Sequence, residues 1–148
     1  PETGSGMTPR PVQLLADTCL VAGDRILLIR FDTKTIPDRE PGWYLPVDEL
    51  SDFEPPDQAA IRSLFEQTGV ETSGPFLSHV ESSKGRHAQW RLAFHYVVQL
   101  AAPPPLTTGA GVTEARWFDL TKLPPRGDVA NSGRALTTIK EILQRAAG

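Results

Sequence analysis

Between the proline pair Pro55-Pro56 and Gly69, apolar positions recur at the spacing of a helix. Neither proline can continue a helix arriving from upstream. Asp57 offers a side-chain oxygen to the first free backbone N–H groups, and Gly69 suits the left-handed position just past a helix end. At about 100° per residue, Ala60, Ile61, Leu64 and Phe65 fall on one arc and Arg62, Ser63, Glu66 and Gln67 on the other. The pattern predicts one face for a core and one for something polar. A second helical period covers 132–146. Leu136, Ile139, Ile142 and Leu143 form its apolar stripe, and Lys140, Glu141 and Arg145 its wet side.

The remaining periodic stretches read as strands. Residues 12–16 and 18–21 lead into the turn signal Ala22-Gly23-Asp24, and the apolar run 25–31 follows. Trp43-Tyr44-Leu45 is strand-like and ends at Pro46, with an acidic loop after it. Residues 76–81 predict a strand, and 82–86 a polar, hairpin-like loop. The longest strand signal is 89–100. Trp90, Leu92, Phe94, Tyr96 and Val98 share one face there, and Arg91, Ala93, His95, Val97 and Gln99 the other. A stiff, then flexible linker at 101–111 precedes a last strand over 113–120. Strands separated by two well-marked helices predict an α/β fold, and no internal repeat is visible.

Composition narrows the class. A chain of 148 residues, 39% hydrophobic and 22% charged, is expected to form one domain, spanning 7–148, with a sizeable core. Pro1 to Gly6 read as an expression-tag remnant before a natural start at Met7, and no signal-peptide pattern follows. No apolar run approaches the roughly 20 residues of a membrane-spanning helix, so the expected location is cytoplasmic. A net charge of −3 gives no bulk attraction to nucleic acid. The single cysteine, Cys19, leaves no internal disulfide and reads as a small core residue. His79 and His87 lack partners at zinc-ligand spacing. His95, among apolar neighbours, reads as a hydrogen-bonded interior histidine. The charged loop 32–41 has no period and the character of a binding element, with Lys34 and Arg39 as candidate phosphate contacts.

The stretch 42–70, GWYLPVDELSDFEPPDQAAIRSLFEQTGV, resembles the Nudix box, G-x5-E-x7-R-E-U-x-E-E-x-G-U, where U is a bulky aliphatic. Glu54, Arg62, Leu64, Glu66, Gly69 and Val70 keep the register, with Trp-x-Leu-Pro in front. Glu114-x-x-Trp117 and the later Leu-Pro turn also resemble the family, so the likeness covers most of 12–146. The departures are specific. The paired glycines are Val47 and Asp48, the glutamate after the arginine is Ser63, and the second glutamate of the pair is Gln67.

The resemblance implies a Nudix-type α/β/α sandwich with a mixed sheet, the box helix lying beside a substrate cleft. It implies Mg²⁺ or Mn²⁺ on helix glutamates that assist attack of water on a diphosphate. By family analogy Glu66 is the chief metal ligand, with Glu54 auxiliary and Gln67 offering a carbonyl oxygen. Arg62 orients the carboxylates, and Asp48, Glu49, Asp52 or Glu114 are available to rebuild the set. Arg30, Arg39 and Trp43 are candidate substrate contacts. Two readings stay open. One is a hydrolase of a nucleoside-diphosphate-linked or related phosphorylated metabolite, with an altered metal site. The other is a catalytically inactive domain that needs no cofactor and binds a nucleotide-like ligand or a protein partner. Oligomeric state is left open, a homodimer included.

Overall fold

The computed structural model describes residues 12–85 and 88–147. The tag-like segment, Met7, Arg86 and His87 lie outside the described residues. Six strands and two helices are formed: β1 (Val12–Ala22), β2 (Arg25–Phe31), β3 (Val47–Glu49), α1 (Pro56–Thr68), β4 (Phe76–Lys84), β5 (Trp90–Leu100), β6 (Val112–Asp119) and α2 (Ala130–Ala147). The sheet runs β4-β5-β1-β2-β6, with β3 attached to β1. β1 pairs with β5 in parallel along its whole length, Val12 opposite Trp90 and Ala22 opposite Leu100. The other pairings are antiparallel, so the sheet is mixed. No helix among the described residues is long and apolar enough to cross a membrane.

Alternation along the strands gives the sheet two apolar faces, and each buries one helix. Leu20, Leu27 and Val98 close on Leu64 of α1, while Ala16 and Tyr96 meet Ala59 and Ala60. On the opposite face Cys19, Ile26 and Leu28 pack with Ile139 and Ile142 of α2. Each of these large aliphatic side chains contributes roughly 1.5–3 kcal/mol by leaving water. The buried Cys19 thiol is pushed up to about 12, chiefly by desolvation, which makes it a core group and not a nucleophile. The predicted α/β/α architecture is the one observed.

Several local expectations are corrected. The buried stripe of α1 is Ala59, Ala60, Ser63, Leu64, Gln67 and Thr68, and Phe65 is 51% exposed. Small side chains at 59 and 60 let the helix sit close to the sheet. The stripe through 60, 64 and 67 then faces inward, and Phe65 lies about a quarter-turn off it. Pro56 occupies the first helical turn after Pro55, so Asp57 lies inside that turn and accepts a hydrogen bond from Gln58 N at 3.0 Å. Gly69 ends the helix as expected, at φ 77°, its N–H donating to Phe65 O. Strand β4 runs on to Lys84, into the predicted loop, and β3 forms where an irregular acidic loop was expected. In α2, Leu143 is largely exposed while Ala135 and Thr138 are buried.

The segment that begins α2 is unusual. Asn131, Ser132 and Gly133 all have left-handed backbone angles (φ 55°, 57° and 82°), a conformation unfavourable by about 1–2 kcal/mol for each residue with a side chain. The turn is held by Arg126 Nη1 donating to Ser132 O at 2.8 Å and by Asn131 N donating to Glu40 Oε1 at 2.9 Å. Beside it, Gly42 (φ +115°) lets the chain pass against 128–130. A Cβ at Gly42 would lie 2.8 Å from Ala130 N and 2.9 Å from Asp128 O. This close approach pins the start of α2 to the loop before the box.

Candidate functional site

Arg62 projects from the second turn of α1 into the returning loop, and its guanidinium organises the box. Nε and Nη2 donate to the two oxygens of Glu54 at 2.8 and 3.1 Å. Nη1 donates to Asp48 Oδ2 at 3.0 Å and to Glu66 Oε1 at 2.9 Å, and Nη2 also reaches Glu49 O at 3.1 Å. All five N–H groups of the fork therefore have acceptors. The Arg62 hydrogen bonds hold the Glu54 carboxyl below the usual glutamate range, and Glu54 in turn raises the already high pKa of Arg62. Arg62, Glu54 and Glu66 are thus brought together as the sequence pattern implies. Asp48, standing where the family has its second glycine, joins them.

Gln67 departs from the ligand role expected of it. Its amide is buried and pairs both ways with one residue: Val47 N donates to Oε1 at 3.1 Å, and Nε2 donates to Val47 O at 2.7 Å. Ser63 is fully buried and donates to Ala60 O at 3.3 Å. Of the proposed replacements, Asp48 alone joins the cluster, and it does so through Arg62. Glu49 supplies its carbonyl, Asp52 stays exposed, and Glu114 pairs with Arg30 and Arg116. Among the described residues, no group of three or more Asp, Glu, His or Cys side chains is placed to hold a metal ion. Mg²⁺ needs several oxygen lone pairs in near-octahedral array. Here Glu54, Asp48 and Glu66 each have an oxygen taken up by the one Arg62 guanidinium, and the Gln67 N–H points at the Val47 carbonyl. The residues present do not fit the divalent-cation site that the box implies.

Beside the box, a cavity of about 390 Å³ opens between the α2 face of the sheet, the 36–49 loop and the start of α2. Arg39, Arg91 and Arg134 line it, with Asp17, Tyr44 and Asp48. The Arg39 guanidinium lies 4.4 Å from the Phe31 ring centre and donates to Val47 O at 3.3 Å. Arg91 Nε and Arg134 Nε are buried without hydrogen-bond partners. Burial, then repulsion from Arg134 and, more weakly, from Arg39, lowers the pKa of Arg91. A guanidinium nevertheless stays charged in proteins. The three arginines share the hollow with four carboxylates, Asp17, Asp38, Asp48 and Glu49, and Arg39 pairs with Asp48 at 3.8 Å. Arg91 and Arg134, each with an unpaired buried N–H, are the cations best suited to an anionic ligand.

Of the candidate substrate contacts, Arg39 and Trp43 line this cavity, although Trp43 is almost wholly buried. Arg30 does not line it. Its guanidinium lies 4.5 Å from the Trp43 ring centre and pairs with Glu114. Lys34 donates its backbone N–H to Asp32 in the loop. A larger hollow, about 470 Å³, lies between β4 and α2. On its walls Glu81 pairs with Arg134, which lines both hollows, and Glu141 pairs with Arg145; Arg39 and Arg91 line only the arginine-lined cavity, which makes that one the better candidate for an anion. Arg91, Arg134 and Asp17 were not singled out from sequence. The available signal was a charged residue interrupting an apolar strand, as Asp17 and Arg91 both do.

The fold and the box register define a Nudix-type α/β/α domain. The NUDIX domain family matches residues 13–138, and the chain belongs to it. No curated protein matches the sequence. Among solved structures, a NUDIX hydrolase from Nitrosomonas europaea is similar at 17% identity, covering 90% of each chain with a TM-score of 0.73. The NUDIX domain of Shewanella oneidensis NrtR, solved with ADP ribose, is similar at 19% identity over 96% of this chain and 95% of that one (TM-score 0.73). A bifunctional NMN adenylyltransferase/ADP ribose pyrophosphatase from Francisella tularensis, complexed with AMP and a Mn ion, shares 18% identity. It matches over 96% of this chain and 44% of its own, with a TM-score of 0.72.

Proposed function

We propose that this chain is a Nudix domain that binds a phosphorylated, nucleotide-like small molecule without efficient hydrolysis. The observation that carries this reading is the two-way amide pairing of Gln67 with Val47, which ties up the oxygen of an expected metal ligand and sets an N–H donor beside it. The ligand's phosphates fit on Arg39, Arg91 and Arg134, and an aromatic wall at Tyr44 suits the apolar face of a base or sugar. The ligands of two similar folds, ADP ribose in one and AMP in the other, support the ligand class. The test is calorimetric titration of ADP ribose and AMP in EDTA and again in Mn²⁺, with cleavage of ADP ribose to AMP and ribose 5-phosphate followed in parallel by chromatography. The expected result is binding that EDTA leaves unchanged and no cleavage. Turnover at ordinary enzyme rates, about 1–10³ per second, would refute it.

A second reading has one observation in its favour. Glu66 keeps an exposed carboxylate next to Arg62, its side chain 49% accessible, so one metal ligand is within reach of solvent and of a bound diphosphate. On that reading the chain is a weak hydrolase in which substrate phosphates complete the Mg²⁺ or Mn²⁺ shell. Slow metal-dependent cleavage that Glu66→Gln abolishes would favour it.

A further inference from the structure

Asp17 sits in the middle of β1, on the sheet face that carries α2, opposite His95 of β5. His95 is 1% exposed, and both of its ring nitrogens face carboxylates: Nδ1 lies 2.7 Å from Asp17 Oδ1 and Nε2 lies 2.9 Å from Glu81 Oε1. A neutral imidazole has one N–H, so donating to both partners makes the ring an imidazolium. Beyond it, Arg134 Nη1 donates to Glu81 Oε2 at 3.3 Å. Asp17, His95, Glu81 and Arg134 thus form a chain of alternating charge that ends, through Asp17 and Arg134, on the walls of one cavity.

Such a chain is not needed for stability, because apolar side chains of similar volume commonly serve at least as well as buried ion pairs. It does fix a carboxylate. Oδ1 of Asp17 is committed to His95, while Oδ2 accepts no hydrogen bond from the described residues, and the side chain is 14% accessible at the cavity wall. Arg91, whose buried Nε has no hydrogen-bond partner, lines the same cavity. One rigid acceptor and a set of cations therefore share one hollow. A ligand that satisfies both carries a phosphate and, away from it, a hydrogen-bond donor.

We propose that Asp17 is the specificity-determining acceptor of this cavity: it takes a hydrogen bond from a hydroxyl or amino group of a ligand whose phosphate lies on Arg39, Arg91 and Arg134, and His95 positions it. The inference rests on the ligand reading above and adds to it the residue that selects the ligand. The donor is either a sugar hydroxyl or a base amino group, and the two are separable.

The experiment titrates the full chain with AMP, 2′-deoxy-AMP and IMP by calorimetry, for the wild type and for Asp17→Asn. The wild type is expected to bind AMP and to lose at least tenfold in affinity toward one analogue. Loss with 2′-deoxy-AMP assigns the hydroxyl, and loss with IMP assigns the amino group. Asp17→Asn is expected to weaken AMP at least tenfold and to bind AMP and the discriminated analogue alike, a ratio that a purely structural role would not change. If circular dichroism shows that variant unfolded, Asp17→Ser, which keeps an acceptor for His95, carries the same expectation. AMP binding with the discrimination intact in the variant overturns this inference and leaves the ligand reading standing. Failure of the wild type to bind any of the three overturns this inference, and the ligand reading falls with it when ADP ribose also fails to bind.

Discussion

Replacing Gln67 by glutamate exchanges one heavy atom, the amide nitrogen for an oxygen, and tests what has become of the metal site. In the wild type, Nε2 donates to Val47 O at 2.7 Å. A carboxylate at position 67 would set a negative oxygen against that carbonyl, in a site that is 2% exposed. The side chain can escape only by taking up a proton, which restores a donor. That bounds the cost. An ordinary glutamate titrates near 4.3 and each unit is about 1.36 kcal/mol, so protonation at pH 7 costs about 3.7 kcal/mol and at pH 5 about 1 kcal/mol.

The sign follows: a folded-state pKa raised above the unfolded one leaves stability intact below about pH 4.3 and erodes it as pH rises. At about 3 °C per kcal/mol for a chain of this size, Gln67→Glu is expected to lower Tm by up to about 11 °C at pH 7 and by about 3 °C at pH 5. A divalent cation between the new carboxylate and Val47 O replaces the missing donor. At a hundred times its Kd it would return about 2.7 kcal/mol. Differential scanning fluorimetry at both pH values, with Mn²⁺ or EDTA, reads all of this. The reasoning fails if the variant matches the wild type at pH 7, or if Mn²⁺ stabilises the wild type as much as the variant.

Arg62→Ala leaves Glu54, Asp48 and Glu66 without their shared cation, and urea unfolding at pH 7 should show a loss of about 1–3 kcal/mol. Because the pKa of Glu54 is depressed, its contribution is present above the ordinary glutamate range and is lost as pH falls through the folded value. That acid slope should flatten in the variant. Burial disfavours the His95 cation, but its bonds to Asp17 and Glu81 outweigh burial and raise its pKa. Its stabilisation is complete below about 6.5 and is lost as pH rises through the raised value. Wild-type Tm should therefore fall over that rise, and His95→Gln should remove the slope. Gly42→Ala meets backbone atoms at 2.8 and 2.9 Å and a positive φ, so it should cost about 3 kcal/mol or more. Amide exchange should quicken first at 128–133, where the start of α2 loses its anchor.

Local chemistry was legible wherever it acts along the chain. The helix ending at Gly69, the i, i+4 pair Arg62 and Glu66 and the long strand carrying His95 all follow from spacing, and the box register identified the family. The phase of α1 was not legible. Ser63 and Gln67 are polar letters on a helical wheel, and nothing in their sequence shows that hydrogen bonds to Ala60 O and Val47 would let them be buried. Likewise Arg91 and Asp17 read as interruptions of apolar strands until the parallel pairing of β1 with β5 sets both on one face.

What the sequence by itself determined is the two helices, the long strands and the register of the box, because propensity, periodicity and capping are properties of neighbours along the chain. Tertiary structure alone decided that Arg62 gathers Asp48 and Glu54, that the Gln67 amide is buried against Val47, and that three arginines and the Asp17 carboxylate share one cavity. Those outcomes depend on which remote side chains fill the space around each charge. A buried charge or amide takes its partners from across the fold, not from its own stretch of sequence.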